Sequence, residues 1–349
     1  MDIYLNNLTL EIDNKPIVKG LTTKIRSGEL VSILGPSGCG KSTTLLLLAG
    51  LYKPTSGQLF FGDKDVTNIE AKYRGIGMVF QNYALFPHLS IIKNIMFPLK
   101  MQKVRKKDAQ ERAMEMAKLV HIDHLVNRKP RELSGGQQQR VAIARALVKK
   151  PMLLLFDEPL SNLDSHLRIE IREEIRRIQL EVGITTVFVT HDQNEAMSIS
   201  DKIIIMDNGQ IQQESKPKEM YNYPKNIFTA SFIGTPPINL LKATLTTTGV
   251  YTFVDTQSTL NLNYSYKNII VGIRPEHLFL TTENNALFTG KITYIETNGH
   301  NTLIKVELTN QIIRLSVDYD ISLSIGDTCY IGAKEGKFHY FDQNKNRLP

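Results

Sequence analysis

The chain has 349 residues, of which 42% are hydrophobic, and carries a formal net charge of +7. This length allows two domains, and no apolar run approaches the roughly 18 residues that would predict a membrane-spanning helix. Two distant cysteines, Cys39 and Cys329, provide neither a disulfide framework nor a metal-binding spacing, so we expect a reducing compartment.

The N-terminal stretch MDIYLNNLTLEID is acidic and alternating, which is not the pattern of a signal peptide. The excess of positive over negative charge lies before residue 235, because the remaining 115 residues hold ten Lys/Arg and ten Asp/Glu. The basic run Lys103–Asp108 would be the best candidate for nucleic-acid binding. A solvated helix face explains it better, since no aromatic-rich strand accompanies it, and we expect no nucleic-acid partner.

Residues 1–234 alternate apolar strands with helical stretches, which predicts a mostly parallel sheet covered on both faces. ELVSILG leads into a helix predicted at 41–51, PMLLLFDE into one at 163–182 and ITTVFVTH into one at 193–199. Residues 83–150 interrupt this rhythm with helical patterns and are interpreted as an inserted helical subdomain. From 235 to 349, after Thr235-Pro236-Pro237, short alternating segments predict a small all-β barrel or sandwich.

The most specific motif is a phosphate-binding loop. It matches G-x-x-x-x-G-K-[ST], follows the strand LVSIL and opens a helix, as that motif requires. In such a loop the glycines let the backbone wrap a phosphate, Lys41 reaches the β- and γ-phosphates, and the Ser42 hydroxyl can hold Mg²⁺. We expect ATP to contact Gly35, Pro36, Ser37, Gly38, Cys39, Gly40, Lys41, Ser42 and Thr43.

A second helix start rich in glycine follows about a hundred residues later. Ser134, Gly135, Gly136 and Gln137 precede a helical stretch, and open backbone N–H groups at a helix N-terminus suit an anion. The sequence by itself does not explain why one chain would need two such sites.

Two carboxylates end the apolar strand Leu153–Phe156. Ligands of open α/β sheets bind at the carboxyl ends of the strands, where Asp157 and Glu158 would lie. Asp157 suits the Mg²⁺ shell and Glu158 suits the general base that activates water. Taken alone, Asp157 and Glu158 could equally be solvated charges at the end of a strand. Because the chain also has a phosphate-binding loop, a catalytic role is the better interpretation.

These motifs, in this order, resemble the nucleotide-binding subunit of an ABC transporter. The resemblance covers residues 1–234 and extends to Gly272–Leu280 (GIRPEHLFL), which is similar to the regulatory domain of sugar and glycerol-3-phosphate importer ATPases. It implies an α/β P-loop NTPase domain with an inserted helical subdomain, followed by an all-β, OB-like barrel domain with a regulatory role. The motifs that carry it are Gly35–Ser42, Gln81, Leu133–Gln137, Asp157-Glu158, Ser161–Asp164 and His191.

The resemblance also explains the second glycine-rich helix start. In this family two chains meet head to tail, so Ser134–Gln137 of one chain would complete the ATP site of the other, with Asp164 beside it. One copy of each motif then implies a two-fold homodimer, or pairing with a paralogous ATPase.

Further roles follow from the family pattern. Gln81 would sense Mg²⁺ and the attacking water, and His191 would contact the γ-phosphate. The segment Asn82–Ile95 would receive two transmembrane permease subunits at the cytoplasmic face of the membrane, with a solute-binding protein acting indirectly. A packed loop with buried Tyr83 and Phe86 is the alternative for that segment.

The transported solute is not readable from an ATPase subunit. Phrases such as FDEPLSNLD and SFIGTPPINLL look most like sugar or glycerol-3-phosphate importers, whereas polyamine, iron and phosphonate importers share much of the pattern. Soluble ABC ATPases of DNA repair or ribosomes are a rival class. They are disfavoured because the chain has one ATPase cassette and no long heptad insertion.

One position departs from the family pattern. An aromatic residue usually stacks on adenine early in the chain, and the alignment puts Ile12 there. We therefore expect an apolar contact without the extra energy of aromatic stacking.

Overall fold

The computed structural model describes residues 1–254, 258–299, 301–318 and 323–349, and these form two units. The units are Met1–Lys218 and Glu219–Pro349, so the division precedes the expected boundary at residues 234/235.

The first unit contains ten strands and six complete helices. In chain order they are β1 (Ile3–Ile12), β2 (Lys15–Ile25), β3 (Leu30–Leu34), α1 (Lys41–Ala49), β4 (Ser56–Phe61), β5 (Lys64–Asp65), β6 (Ile76–Val79), α2 (Ile91–Met101), α3 (Lys106–Leu119), α4 (Gly135–Leu147), β7 (Leu153–Asp157), α5 (Ser165–Val182), β8 (Thr185–Thr190), α6 (Gln193–Ile199), β9 (Lys202–Asp207) and β10 (Gln210–Ser215).

A six-stranded sheet with the order β10-β9-β3-β8-β7-β6 is the centre of this unit. All of its neighbouring pairs are parallel except β9–β10, as the continuous apolar strands predicted. Its side chains alternate between two cores. Leu154 and Phe156 pack with the helices on one face, whereas Leu153 and Leu155 pack with α1 and β1, β2 and β4 on the other.

The second face of the parallel sheet is covered in a way that the sequence did not predict. A separate antiparallel sheet, with the order β2-β1-β4-β5, covers it together with α1. Exposed positions alternate with buried ones along β1 and β2, which suits strands with one solvated face, so the prediction of a parallel sheet buried on both faces did not include them.

Helix ends differ slightly from the sequence prediction for identifiable reasons. Helix α1 ends at Ala49 because Gly50 adopts a left-handed conformation (φ 75°) at the C-cap. Helix α5 begins at Ser165 rather than at 163, because the Asp164 side chain caps it by accepting a hydrogen bond from the Leu167 N–H at 2.9 Å.

The remaining elements belong mostly to the second unit. They are α7 (Pro217–Asn222), which crosses the division, then α8 (Ile227–Phe232), β11 (Asn239–Thr247), β12 (Val250–Phe253), β13 (Thr259–Asn261), β14 (Asn268–Ile273), β15 (Leu278–Thr281), β16 (Phe288–Thr297), β17 (Asn301–Glu307), β18 (Ile312–Asp318), β19 (Thr328–Ala333) and β20 (Phe338–Phe341).

The strands of the second unit form two five-stranded antiparallel sheets, with the orders β13-β12-β11-β14-β20 and β15-β19-β16-β17-β18. Both sheets contribute to one core, which includes Val271, Ile304 and Ile331. The all-β prediction for this part of the chain is therefore confirmed, with helix α8 preceding the strands.

Candidate functional site

The parallel sheet brings most of the predicted site residues to one edge. Strands β3, β6, β7 and β8 run in the same direction, and their carboxyl ends lead into Gly35–Ser42, Gln81, Asp157-Glu158 and His191, respectively. The binding crevice of open α/β sheets lies at this edge. Sequence reasoning could therefore predict their convergence, and the structure supplies the contacts between them.

The phosphate-binding loop follows β3 and passes so close to other backbone that its glycines are required. A Cβ atom on Gly35 would lie 2.2 Å from the Met206 carbonyl oxygen, and one on Gly40 would lie 2.9 Å from the Ile17 carbonyl oxygen. Gly38 and Gly40 also have positive φ angles of 79° and 102°, which side chains rarely tolerate. Side chains at Gly35 and Gly40 would therefore not fit, and Ser37 and Gly38 form the exposed tip of the loop.

Lys41 is buried at the start of α1 and points back into this loop. Its Nζ atom donates to the carbonyl oxygens of Gly35 and Pro36, both at 2.9 Å. The ammonium group is thus held against the backbone of the loop, where a positive charge would attract a bound phosphate. Cys39 is buried in the same loop, and burial raises the pKa of its thiol, which favours a packing role.

Ser42 and Asp157 link the loop to the end of β7. The Ser42 hydroxyl donates to the Asp157 carboxylate at 2.8 Å. Burial raises the pKa of Asp157, the hydrogen bond from Ser42 lowers it, and the neighbouring Glu158 carboxylate raises it. A hydroxyl and a carboxylate in contact are the oxygen ligands that Mg²⁺ prefers, and Mg²⁺ usually takes few protein ligands beside substrate phosphates.

Glu158 lies beside His191 at the same edge. The Glu158 carboxylate oxygen Oε2 is 3.2 Å from Nδ1 of His191. The backbone of Glu158 has φ 44°, a left-handed conformation that costs on the order of 1–3 kcal/mol in a non-glycine residue and often marks functional sites. The structure thus places a carboxylate and an imidazole within hydrogen-bonding distance at this edge of the sheet.

The turn that carries His191 is fixed by residues that the sequence analysis did not name. The Thr190 hydroxyl donates to the buried Glu195 carboxylate at 2.5 Å and accepts from the Asp192 N–H at 3.0 Å. Burial raises the pKa of Glu195. A threonine directly before the histidine and an acidic residue one turn into α6 were the available signals.

Gln81 contacts the segment that follows Glu158. Its Nε2 atom donates to the Ser161 hydroxyl at 3.1 Å, and its carbonyl oxygen accepts from Asn162 Nδ2 at 2.9 Å. The Ser161 hydroxyl in turn donates to the Glu158 carbonyl at 2.9 Å. Gln81 is therefore connected to the catalytic candidate through hydrogen bonds.

The segment Asn82–Ile95 is partly packed. Tyr83 is only 6% exposed and Phe86 is half-buried against Phe97, with ring centroids 4.3 Å apart. Fully buried Asn94 accepts from the Phe86 N–H and donates back to its carbonyl, which fixes the loop. Arg145 of α4 donates to the carbonyls of residues 83 and 84, a contact that the sequence did not reveal.

The second glycine-rich start is a well-capped helix N-terminus. Exposed Ser134 caps α4, with its hydroxyl accepting from the Gln137 N–H at 3.4 Å while Gln137 Oε1 accepts from the Ser134 N–H at 3.1 Å. A Cβ atom on Gly135 would lie 3.0 Å from Leu163, and one on Gly136 would lie 2.9 Å from Leu167. The helix start therefore packs against the segment containing Asp164.

Ile12 ends β1 at the tip of the hairpin with β2, opposite Lys15, and is 39% exposed. The backbone of Ile17, from the same hairpin, lies against Gly40 of the phosphate-binding loop. A role of Ile12 above a nucleotide base remains a prediction.

No group of three or more His, Cys, Asp or Glu side chains is placed to hold a metal ion in the described ranges. No helix within those ranges is long and apolar enough to cross a membrane.

Three family models match the chain. The ABC transporter model matches residues 18–161, the MalK OB fold domain model matches 234–278, and the TOBE domain model matches 271–341.

Curated relatives match nearly the whole length. The trehalose/maltose import ATP-binding protein MalK of Thermococcus litoralis is 42% identical, over 90% of this chain and 86% of that protein. The sn-glycerol-3-phosphate import ATP-binding protein UgpC of Psychromonas ingrahamii is 40% identical, over 99% of this chain and 95% of that protein.

Solved structures match the first part of the chain. A dimeric ATP-binding cassette in a post-hydrolysis state, bound to ADP and Pi, is 35% identical with a TM-score of 0.55, covering 62% of this chain and 98% of that one. A Clostridium perfringens subunit of the cbiONQ ABC transporter complex is 32% identical with a TM-score of 0.58, covering 62% and 89% of the two chains.

Proposed function

The chain belongs to the ABC transporter ATPase family, and from this premise we propose that it hydrolyses ATP to power import of a sugar or a glycerol-3-phosphate-like solute. One observation carries the catalytic part: a lysine-containing phosphate-binding loop, the Ser42–Asp157 pair and the Glu158–His191 pair share one sheet edge. The relatives named for sugar and glycerol-3-phosphate import support the choice of solute.

In the proposed reaction, different residues at this edge bind the phosphates, accept the proton of water and stabilise the developing charge. The amides of Gly35–Ser42 and the Lys41 ammonium hold the β- and γ-phosphates in place. The Glu158 carboxylate accepts the proton of the attacking water, and His191 stabilises charge that develops at the γ-phosphate. Gln81 connects this centre to Ser161 and orients the water.

We assign Mg²⁺ to Ser42 and Asp157, and from the family pattern we propose Gln81 as a further ligand. A hydroxyl and a partly buried carboxylate at 2.8 Å fit a cation that also binds substrate phosphates. When bound, Mg²⁺ supplies charge neutralisation at those phosphates. The raised pKa of Asp157 is consistent with a carboxylate that a cation would stabilise in its charged form.

We further propose that two copies act head to tail. Ser134–Gln137 of one chain would complete the ATP site of the other, since α4 begins at exposed Ser134 and carries no phosphate-binding lysine of its own. Asp164 would lie beside the same ATP site, because Gly135 and Gly136 pack against Leu163 and Leu167 on either side of it. The dimeric cassette among the similar structures supports two-fold pairing.

The permease contact is proposed at Asn82–Ile95 and the adjoining surface. A largely apolar cavity of about 530 Å³ lies there between α2 and α3, lined by residues including Leu89, Met96 and Phe97. Lys93, Lys100 and Lys106 surround it, so a helix with an apolar face and acidic flanks would fit. Such docking would place the chain at the cytoplasmic face of the membrane, with the solute-binding protein acting only indirectly.

Reconstitution tests the proposal as a whole. The chain would be combined in lipid vesicles with the permease subunits and solute-binding proteins of candidate importers, and phosphate release would be measured. We expect release to rise when the binding protein carries maltose or sn-glycerol-3-phosphate. If only a polyamine, iron or a phosphonate stimulated release, the chain would serve an importer of that solute instead. If the chain sedimented with ribosomes and bound no membrane subunit, it would not be the ATPase of an importer.

A further inference from the structure

A cavity of about 620 Å³ lies in the second unit, within the size range of small-molecule sites. It lies between β15 and the end of β18, the two outer strands of one five-stranded sheet, which approach each other. None of the described residues that line it belongs to the nucleotide site, so its use goes beyond the proposed ATPase function.

An aromatic side chain forms one wall of the cavity. Phe279 on β15 is 42% exposed although it is large and apolar. It pairs with Gly332 on β19, and a Cβ atom on that glycine would lie 2.5 Å from ring atoms Cε2 and Cζ. One face of the Phe279 ring thus packs on the backbone at Gly332, and the exposed part of the ring can contact a ligand.

Polar side chains face this ring from β17 and β18. Asn301 and Asp318 are paired across the two strands, and the Asn301 amide donates to the Ser316 hydroxyl at 2.8 Å. These groups offer a carboxylate acceptor, a hydroxyl and an amide within one cavity.

The main chain of β18 adds further donors and acceptors. Asn239 satisfies both main-chain groups of Arg314 on the outer edge, donating to its carbonyl at 2.8 Å and accepting from its N–H at 2.7 Å. Outward-facing main-chain groups recur at every second residue, so those of Ser316 and Asp318 lie on the same edge, beyond Asn239. They extend the row of hydrogen-bonding groups beside the cavity.

The charges of the lining nearly cancel. Glu276 accepts a hydrogen bond from the Tyr221 hydroxyl, and the Lys334 ammonium donates to the Glu276 carbonyl at 3.2 Å. Glu276, Asp318 and Lys334 give the described lining two carboxylates and one ammonium, a net charge of −1. A strongly anionic ligand would meet the two carboxylates, and a polyamine would find only one net negative charge together with the Lys334 ammonium.

We propose that this cavity binds a neutral polyhydroxylated ligand, a mono- or disaccharide. Hydroxyl groups both donate and accept, which matches the mixed donors and acceptors of Asn301, Ser316 and Asp318. The apolar C–H face of a sugar ring matches the exposed side of Phe279. Barrels of the OB type bind oligosaccharides in other proteins, which shows that the architecture permits such a site.

Ligand-observed saturation-transfer NMR on the full-length chain tests this proposal, with maltose, glucose and spermidine as separate probes. We expect saturation transfer to maltose or glucose and none to spermidine. Phe279→Ala should weaken sugar binding by about threefold to tenfold, the range expected for losing an aromatic contact. Tyr294→Ala removes another exposed aromatic of the same unit, outside the cavity, and should leave binding unchanged.

Two additional variants separate binding from folding. Phe279→Tyr keeps the aromatic surface and should retain sugar binding, whereas Asp318→Asn keeps the shape and should weaken it. Thermal melting of every variant checks that the second unit remains folded. Absence of saturation transfer to either sugar, transfer to spermidine alone, or equal sugar binding by Phe279→Ala and Tyr294→Ala would each overturn the proposal. ATP hydrolysis measured in parallel reports on the ATPase function separately.

Discussion

The Nδ1 atom of His191 lies 3.2 Å from Oε2 of Glu158, so the side chains of the residues that directly follow β8 and β7 meet at the edge of the sheet. The contact depends on the parallel pairing of β7 with β8, which sets Asp157 opposite Val189. Glu158 reaches it through a left-handed backbone conformation. The fold thus holds a carboxylate and an imidazole together where a water could be activated.

We expect Glu158→Gln to leave ATP binding intact and to reduce hydrolysis by roughly two to four orders of magnitude. The amide keeps the shape of the side chain but cannot accept a proton from water. Phosphate release under saturating ATP and Mg²⁺ measures the effect, and size-exclusion chromatography should show an ATP-bound dimer. Glu170→Gln on α5 serves as a control, because it neutralises an exposed carboxylate away from this edge. A Glu158→Gln protein with near-parental turnover would remove Glu158 from the role of general base.

The trans arrangement can be tested by complementation. Ser134→Arg places a bulky cation at the start of α4, and Lys41→Ala removes the ammonium from the phosphate-binding loop, so each protein alone should be nearly inactive. In an equal mixture, half of the dimers are heterodimers with one intact site, and about a quarter of the parental activity should return. Phosphate release before and after mixing measures this. Normal activity of Ser134→Arg alone, or no recovery on mixing, would contradict the head-to-tail model.

The sequence could predict the convergence at the sheet edge because it depends on strand direction alone. Apolar runs ending in Gly35, Asp157 and His191 must bring those residues together once the strands are parallel. The contacts that fix side-chain positions were not predictable in this way. Arg145 donates to the carbonyls of residues 83 and 84, which lie 62 and 61 positions away in the chain, and neither end of the contact has a local sequence signature.

In the second unit, too, the long-range contacts could not be predicted from the sequence. Alternating segments predicted strands, but the pairing order and the closeness of β15 to β18 depend on long-range packing. Arg274 is a further example. Its buried guanidinium donates to the carbonyls of Ile233 and Tyr221 and lies 3.7 Å from the Tyr221 ring centroid, although the sequence alone showed only a basic residue before a proline.

We expect His339 to make the second unit less stable in acid. Burial and the nearby cations Arg347 and Arg274 lower the pKa of His339 to about 4, from 6.5 in an unfolded chain. Between these values the unfolded chain binds a proton that the folded chain does not, so its contribution to stability is complete above pH 6.5 and is lost as the pH falls toward 4. Calorimetric unfolding at pH 7.5, about 5.5 and about 4.5 should show a smaller pH dependence in His339→Gln. The exposed His121→Gln should behave as the parent does; an identical pH dependence in His339→Gln would contradict the prediction.

Ile12→Tyr should tighten ATP binding by roughly threefold to tenfold, because an aromatic ring stacked on adenine contributes on the order of 0.5–1.5 kcal/mol beyond apolar contact. Ile12 is exposed at the tip of the β1–β2 hairpin, and the Ile17 backbone of that hairpin packs on the phosphate-binding loop, so a larger side chain at residue 12 has room and a short path to the base. Nucleotide titration of both proteins under identical salt and Mg²⁺ measures the change. The parent should discriminate weakly between ATP and GTP, since its affinity rests mainly on the phosphates. Ile169→Tyr, at an exposed isoleucine of α5, controls for a general effect of added aromatic surface. Equal affinities of the parent and Ile12→Tyr would show that residue 12 does not lie over the base.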